Sequence, residues 1–192
     1  ELTETIRDKG KKGSLLWLLD QTNTAMGGRM LRKWVQQPLI RKTAVDERLD
    51  AVQELCEHPL WMEEIKEHLG KVYYLERLAS RITFGNANAR DMLSLKHSLA
   101  ILPAVRDFLA QCGSRLLSGF HERMDVLEDI HELLEKSIFE EPPISLREGN
   151  LIKAGWDETL DQYRLAMTDG KNWIAELEQQ ERDRTGIRNL KI

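Results

Sequence analysis

Leu160, Tyr163, Met167, Gly170, Ile174 and Leu177 recur at spacings of 3, 4, 3, 4 and 3, and no other feature restricts the fold of this chain as much. A strand alternates at two, whereas this spacing puts all six residues on one side of a helix, in the seam of a helix packed along another. Helix-favouring residues continue past the stripe through EQQERDR, so the predicted helix runs from Asp157 to Arg184. Its 28 residues span roughly 42 Å at about 1.5 Å each. Gly186 is the predicted stop, and Ile187, Leu190 and Ile192 read as the start of a short β segment.

The remainder also reads as all-α, because apolar residues recur at three and four and proline is scarce, at five. Ser14 is a predicted N-cap for LLWLLDQ, and Thr24 for a helix carrying Met26, Met30, Leu31, Trp34 and Val35 up to Pro38. Gly27 and Gly28 oppose that helix by propensity, so the pair predicts close packing on another backbone and a buried segment. Thr43 with Asp46 resembles a capping box for a helix with Val45, Leu49, Val52 and Leu55 inward. Further helices are predicted from Pro59 to Leu69 and from Val72 to Ile82, with a break at Gly85 and Asn86. Asn88 caps the next, which turns Met92, Leu95 and Leu99 inward, and Pro103 leads into Val105, Phe108 and Leu109. Shorter pieces near Leu116 and from Val126 to Lys136 precede EEPPISLREGNLIKAG, where Pro142 and Pro143 forbid a helix.

Charge limits what such a helical body can bind. Lys and Arg number 28 against 32 for Asp and Glu, a formal net charge of -4, so the whole chain lacks the footprint of a free-standing nucleic-acid binder. Any DNA contact is expected to be local. Basic residues concentrate only in the last twelve positions, where Arg182, Arg184, Arg188 and Lys191 face Glu181 and Asp183. That patch can meet phosphate, or Arg182 and Arg184 can simply compensate the dipole at a helix C-terminus. Cys56 and Cys112 have no disulfide or zinc spacing, which points to a reducing cytoplasm. The longest apolar run, Leu15 to Leu19, is far shorter than the roughly 20 residues of a membrane helix. With Glu1 first and a hydrophobic stretch at Ile192, the chain is expected to be a piece of a longer one.

Motifs for catalysis are sparse. No GxxxxGK followed by Ser or Thr occurs, and the Gly-Lys pairs at Gly10, Gly70 and Gly170 read as helix punctuation. His131-Glu132 begins an HExxH pattern, but Glu135 replaces the second histidine, and His58, His68, His97, His121 and His131 follow no metal spacing. The best enzymatic pattern is DETLD. Asp157, Glu158 and Asp161 resemble the magnesium cluster of helical isoprenoid synthases, in which carboxylates on one helix face hold a diphosphate. A second acidic cluster is lacking, and acids are favoured at a helix N-terminus in any case. A helical magnesium-dependent enzyme using those three acids, or a plain helical protein-interaction scaffold, is the alternative. The leading expectation is no catalytic, cofactor or metal residue.

Longer strings carry a resemblance. GSLLWLLDQTNTAMGGRMLRKWVQQPL at 13–39, RLDAVQEL at 48–55 and LERLASRITFGNANARDMLSL at 75–95 resemble, in order, the core or lever domain of the MutS family of DNA mismatch-repair proteins. SLREGNLIKAGWDETLDQYR at 145–164 resembles the approach to that family's long lever helix, and NWIAELEQQERDRTGIRNLKI its passage into the clamp. Asn150, Ala154 and Trp156 depart from the family's usual glycine, acid and tyrosine. The resemblance implies a helical core at 1–150, a lever helix at 151–186 and the start of a clamp at 187–192. It also implies a parent that encircles mismatched double-stranded DNA as a homodimer, hydrolyses ATP with Mg, works with a MutL-type repair partner and resides in the bacterial cytoplasm. Relatives in this family serve housekeeping repair or recombination, and the bacterial style of TGIRNLKI favours the former. The mismatch-reading Phe-x-Glu motif and the P-loop belong to other parts of the family's chain. Arg184, Arg188 and Lys191 would then be DNA-proximal. Because the family's return helix follows the clamp, the stripe from Leu160 to Leu177 is expected to be covered by another copy or by a refolded segment.

Overall fold

The computed structural model describes residues 1–186, apart from the side chain of Leu146. It divides into two units, 1–151 and 152–192. Among the described residues every regular element is helical. The predicted β segment at Ile187, Leu190 and Ile192 lies outside them.

Side-chain caps set where several helices of the first unit begin. Ser14 accepts the N–H of Trp17 and opens α1 (Leu15–Leu19), and Thr24 accepts the N–H of Gly27 and opens α2 (Ala25–Gln36). Both positions are the predicted ones, since a hydroxyl acceptor satisfies an amide that has no partner inside the helix. Asn88 opens α6 (Ala89–Leu99) with a reciprocal capping box, the Asp91 side chain accepting the Asn88 N–H in return.

Elsewhere the structure departs from the sequence pattern for identifiable reasons. α3 spans Lys42–Glu57 with Arg41 at the cap position and no side-chain cap. Thr43 therefore lies inside the helix, and Asp46 receives the Lys42 ammonium at 2.6 Å. The predicted inward face is also rotated: Leu49 is 59% exposed and Val52 56%, while Ala51 is 5% exposed. α8 (Arg115–Arg123) packs on α3, and buried Ala51 shares a helix face with Glu47 and Glu54. The flanking residues of this face are polar and find partners, Glu47 with Arg115 at 3.3 Å and Glu54 with the start of α8. α5 begins at Leu75 and ends at Thr83, later than the predicted Val72 start. The Tyr73 N–H donates to the hydroxyl of fully buried Ser98 at 2.9 Å, which holds the approach to α5 in a non-helical path.

Gly27 and Gly28 are not buried against a second backbone. They are half-exposed and α2 has no buried residue. A Cβ at Gly27 would stand 3.3 Å from the Thr22 Cβ, and one at Gly28 would stand 3.2 Å from the Thr22 hydroxyl oxygen. The pair thus accommodates the preceding turn, where Asp20 accepts the Thr22 hydroxyl at 2.7 Å and the Lys11 ammonium at 2.9 Å. α2 is also tied outward by cations over rings, Arg48 over Trp34 at 3.7 Å and Arg29 over Tyr74 at 4.2 Å.

The core of this unit lies between α4 (Pro59–Gly70), α7 (Leu102–Ala110), α3 and α8. Val105, Phe108, Leu109 and Cys112 are buried there, surrounded by Leu55, Trp61, Ile65, Ile101, Leu117 and Met124. Trp61 meets Phe108 edge to face, with centroids 6.2 Å apart, and stacks on His58 at 4.1 Å. α6 extends the body by packing on α5, α7 and α9 (Glu128–Ser137). Lys96 of α6, 8% exposed, reaches Glu135 of α9 at 2.9 Å. After α9 the double proline and a short 3-10 turn at Leu146–Glu148 keep the chain irregular, as predicted.

Candidate functional site

The second unit is built on α10, Glu158–Thr185, 28 residues without interruption. Asp157 accepts the N–H of Leu160 at 2.7 Å and caps its start. Gly186, at φ 71°, ends it in the left-handed conformation that glycine adopts without steric penalty. Gly170, by contrast, lies in the middle of α10 and does not punctuate it. One weak helix former among many strong ones costs only about 1 kcal/mol, too little to stop a helix of this length.

Two acids of DETLD, Asp157 and Asp161, are engaged by the fold. Besides Asp157 at the cap, Asp161 accepts the Gly155 N–H at 2.6 Å and the Arg164 guanidinium at 3.0 Å. Arg164 also donates to the carbonyl of Ile152 at 2.8 Å, so the pair staples the turn before α10 to its first helical turn. Among the described residues no group of three or more His, Cys, Asp or Glu is placed to hold a metal ion. The magnesium-enzyme alternative therefore has no supporting geometry.

The apolar stripe is where the helical spacing put it but is not covered. Tyr163 is 67% exposed and Met167 66%, with Ile174 also exposed and Leu160 and Leu177 half-buried. Leu165 and Trp173 add exposed apolar surface on α10. No segment among the described residues buries the stripe. Periodicity specifies a face; whether anything lies on it depends on chain elsewhere.

At the far end Arg182 meets Glu178 at 2.9 Å and Arg184 meets Glu181 at 2.6 Å. Both Arg184 bonds, from Nε and Nη2, fall on one Glu181 oxygen. An exposed helical pair of this kind is worth about 0.5 kcal/mol or less, so a phosphate can displace it. Arg184 is 74% exposed along its side chain. Arg188 and Lys191 lie outside the described residues.

One polar link of the first unit had no sequence signal. Glu54 accepts the N–H of Gly113 at 2.5 Å and that of Ser114 at 2.9 Å, capping α8 from another helix. Partial burial raises its carboxyl pKa, but hydrogen bonds from Ser114 and Gly113 outweigh this and hold it below the ordinary value. Burial, and then Glu54 nearby, pushes the Cys112 thiol up, as its place in the core requires.

Fold and site define a class: an all-α bundle followed by a unit whose framework is one long helix. No described helix is long and apolar enough to cross a membrane. The family model for MutS domain III matches residues 1–188. The chain is 52% identical over all 192 residues to the DNA mismatch repair protein MutS of Bacillus subtilis (strain 168), covering 22% of that protein. It is 52% identical to the protein of the same name from Bacillus pumilus, also at 22% coverage. It is 50% identical to that of Lachnoclostridium phytofermentans, at 21% coverage. The chain belongs to the MutS domain III family. It spans about a fifth of the length of these curated relatives.

Proposed function

We propose that this chain is the core and lever segment of a MutS-type DNA mismatch-repair ATPase, linking the ATPase domain to the DNA clamp. The observation that carries this reading is the identity of 52% over the entire chain to a relative named for mismatch repair. A helix of 28 residues, roughly 42 Å long, supports a mechanical role, because an unbroken helix passes on displacement with little bending. The segment itself performs no catalysis and contributes to mismatched-DNA binding within the full-length homodimer. ATP and Mg are assigned to other parts of the parent, since the sequence carries no P-loop. A MutL-type partner and the bacterial cytoplasm complete the proposal.

Arg184, Arg188 and Lys191 are proposed to lie near DNA phosphates. Replacing any one of them by Ala should lower the salt dependence of duplex binding by about one unit of slope.

The test is a chimaera in which this chain replaces the matching fifth of the Bacillus subtilis protein. It should restore a low mutation rate to a strain lacking that protein, and Gly170→Pro, which breaks α10, should abolish ATP-induced release from mismatched duplex while leaving ATP hydrolysis. A chimaera that binds mismatched duplex but releases it normally with Gly170→Pro in place overturns the lever role.

A further inference from the structure

In the first unit α4 and α8 stand on either side of α7 and leave an apolar groove of about 560 Å³ between them. Ile65 and Leu69 form one wall, and Leu117, Phe120 and Met124 the other, both at the three- and four-residue spacing of a helix face. Val105 and Leu109 of α7, with Leu55 of α3, are its floor. The groove is not closed by the chain's own side chains, since Phe120 remains 46% exposed and Leu69 39%.

Among the described residues the only charge lining the groove is Arg123. Its guanidinium lies over the Phe120 ring, 5.8 Å from the centroid, and folds back along the space that Gly119 leaves. Among the described residues no carboxylate forms an ion pair with it. Walls with this spacing receive the anchors of an amphipathic helix at i, i+3 or i+4, and i+7. A cation at the rim selects a helix that carries a carboxylate beside those anchors. Arg123 is exposed, so it stays hydrated when the groove is empty and no buried charge is stranded on release. That suits a partner that comes and goes. Met124 adds an unbranched side chain able to adjust to different anchors.

We propose that the groove between α4 and α8 docks an acidic amphipathic helix of a partner protein, with apolar anchors on Ile65, Leu117 and Phe120 and a carboxylate on Arg123. The reading is independent of any lever role, because it uses only residues of the first unit. The probe is a fluorescein-labelled helical peptide with Leu and Phe at i, i+4 and i+7 and Glu beside them, together with its Glu→Lys twin. The 192-residue chain should bind the Glu peptide saturably. Phe120→Ala should weaken binding about tenfold, and Arg123→Glu about threefold while reversing the preference toward the Lys twin. Both positions are exposed, and an unchanged circular dichroism spectrum and urea midpoint confirm folding. Should Phe120→Ala fail to fold, the charge reversal at Arg123 decides. Absence of saturable binding, or binding indifferent to both substitutions, overturns the proposal. Sedimentation showing a dimer that Phe120→Ala dissociates would assign the groove to a second copy and overturn it. So would binding to the isolated chain that is absent in the full-length chimaera, since the rest of the protein would then fill the groove.

Discussion

The carboxylate of Glu54 accepts the backbone N–H of Ser114 at 2.9 Å, so a residue of α3 caps a helix whose N-cap residue lies 60 positions later. Its other oxygen takes the Gly113 N–H. An anion at a helix N-terminus is favoured twice, by satisfying amides that lack a partner and by the helix dipole. Ser114 makes no cap bond of its own, so α8 depends on this distant acceptor.

Replacing Glu54 by Ala should destabilise the chain by about 1–2 kcal/mol, the range for removal of an N-cap. Urea unfolding followed by circular dichroism measures it. Glu54→Gln should be milder, because its amide oxygen still accepts one N–H. Equal stability of the Ala variant and the parent chain would mean that water replaces the carboxylate without penalty.

The same hydrogen bonds predict a pH dependence. The Glu54 carboxyl is held below its ordinary value of 4.5 in the folded chain, so its contribution is complete above 4.5 and is lost as pH falls through the lowered folded value. The stability gap between the parent chain and Glu54→Gln should therefore narrow on acidification, and a gap that widens would contradict the assignment.

Asp20 is the second acid with a defined window. Hydrogen bonds from Lys11 and then Thr22 lower its pKa from 3.8 to about 2. The Thr22 amide resonance, reporting the turn before α2, should titrate with a midpoint near 2 and not at 3.8. Lys11→Met should move that midpoint up.

Gly170 within α10 and Gly186 just after it should respond oppositely to the same change. Gly170 lies mid-helix with nothing within 4 Å of an added Cβ, so Gly170→Ala should stabilise the helix by about 0.5–1 kcal/mol. Gly186 sits at φ +71°, where a side chain is strained, so Gly186→Ala should cost about 1 kcal/mol. Thermal unfolding and helical ellipticity separate the two, and a shared sign would refute this account.

Phe108, 2% exposed and edge-on to Trp61, should be the most costly of these positions. Phe108→Ala is expected to lose about 3–5 kcal/mol in urea unfolding, the range for truncating a buried aromatic residue. A loss under about 1 kcal/mol would place the core elsewhere.

How much of this was legible in the sequence follows from the range of each interaction. Ser14, Thr24, Asn88 and Asp157 cap amides three residues away, and the α10 periodicity repeats within single turns, so local chemistry determined those helices and their starts. Local chemistry also put Val105, Phe108 and Leu109 on one helix after Pro103, and packing buried them. It did not reveal that α3 would present Ala51 and Glu54 to α8 in place of Leu49 and Val52, because hydrophobic pattern ranks residues by polarity and not by how near a neighbouring backbone comes. Nor could it delay α5, since Ser98 reaches Tyr73 across 25 positions. The sequence by itself determined an all-α chain ending in a long helix and, through its longer strings, its family. Only the tertiary structure decided which faces are covered: α3 turned its small residue inward, α4 and α8 left a groove open beside Arg123, and Tyr163 and Met167 stayed exposed. Burial needs a partner surface, and the position of that surface is fixed by packing between residues distant in sequence.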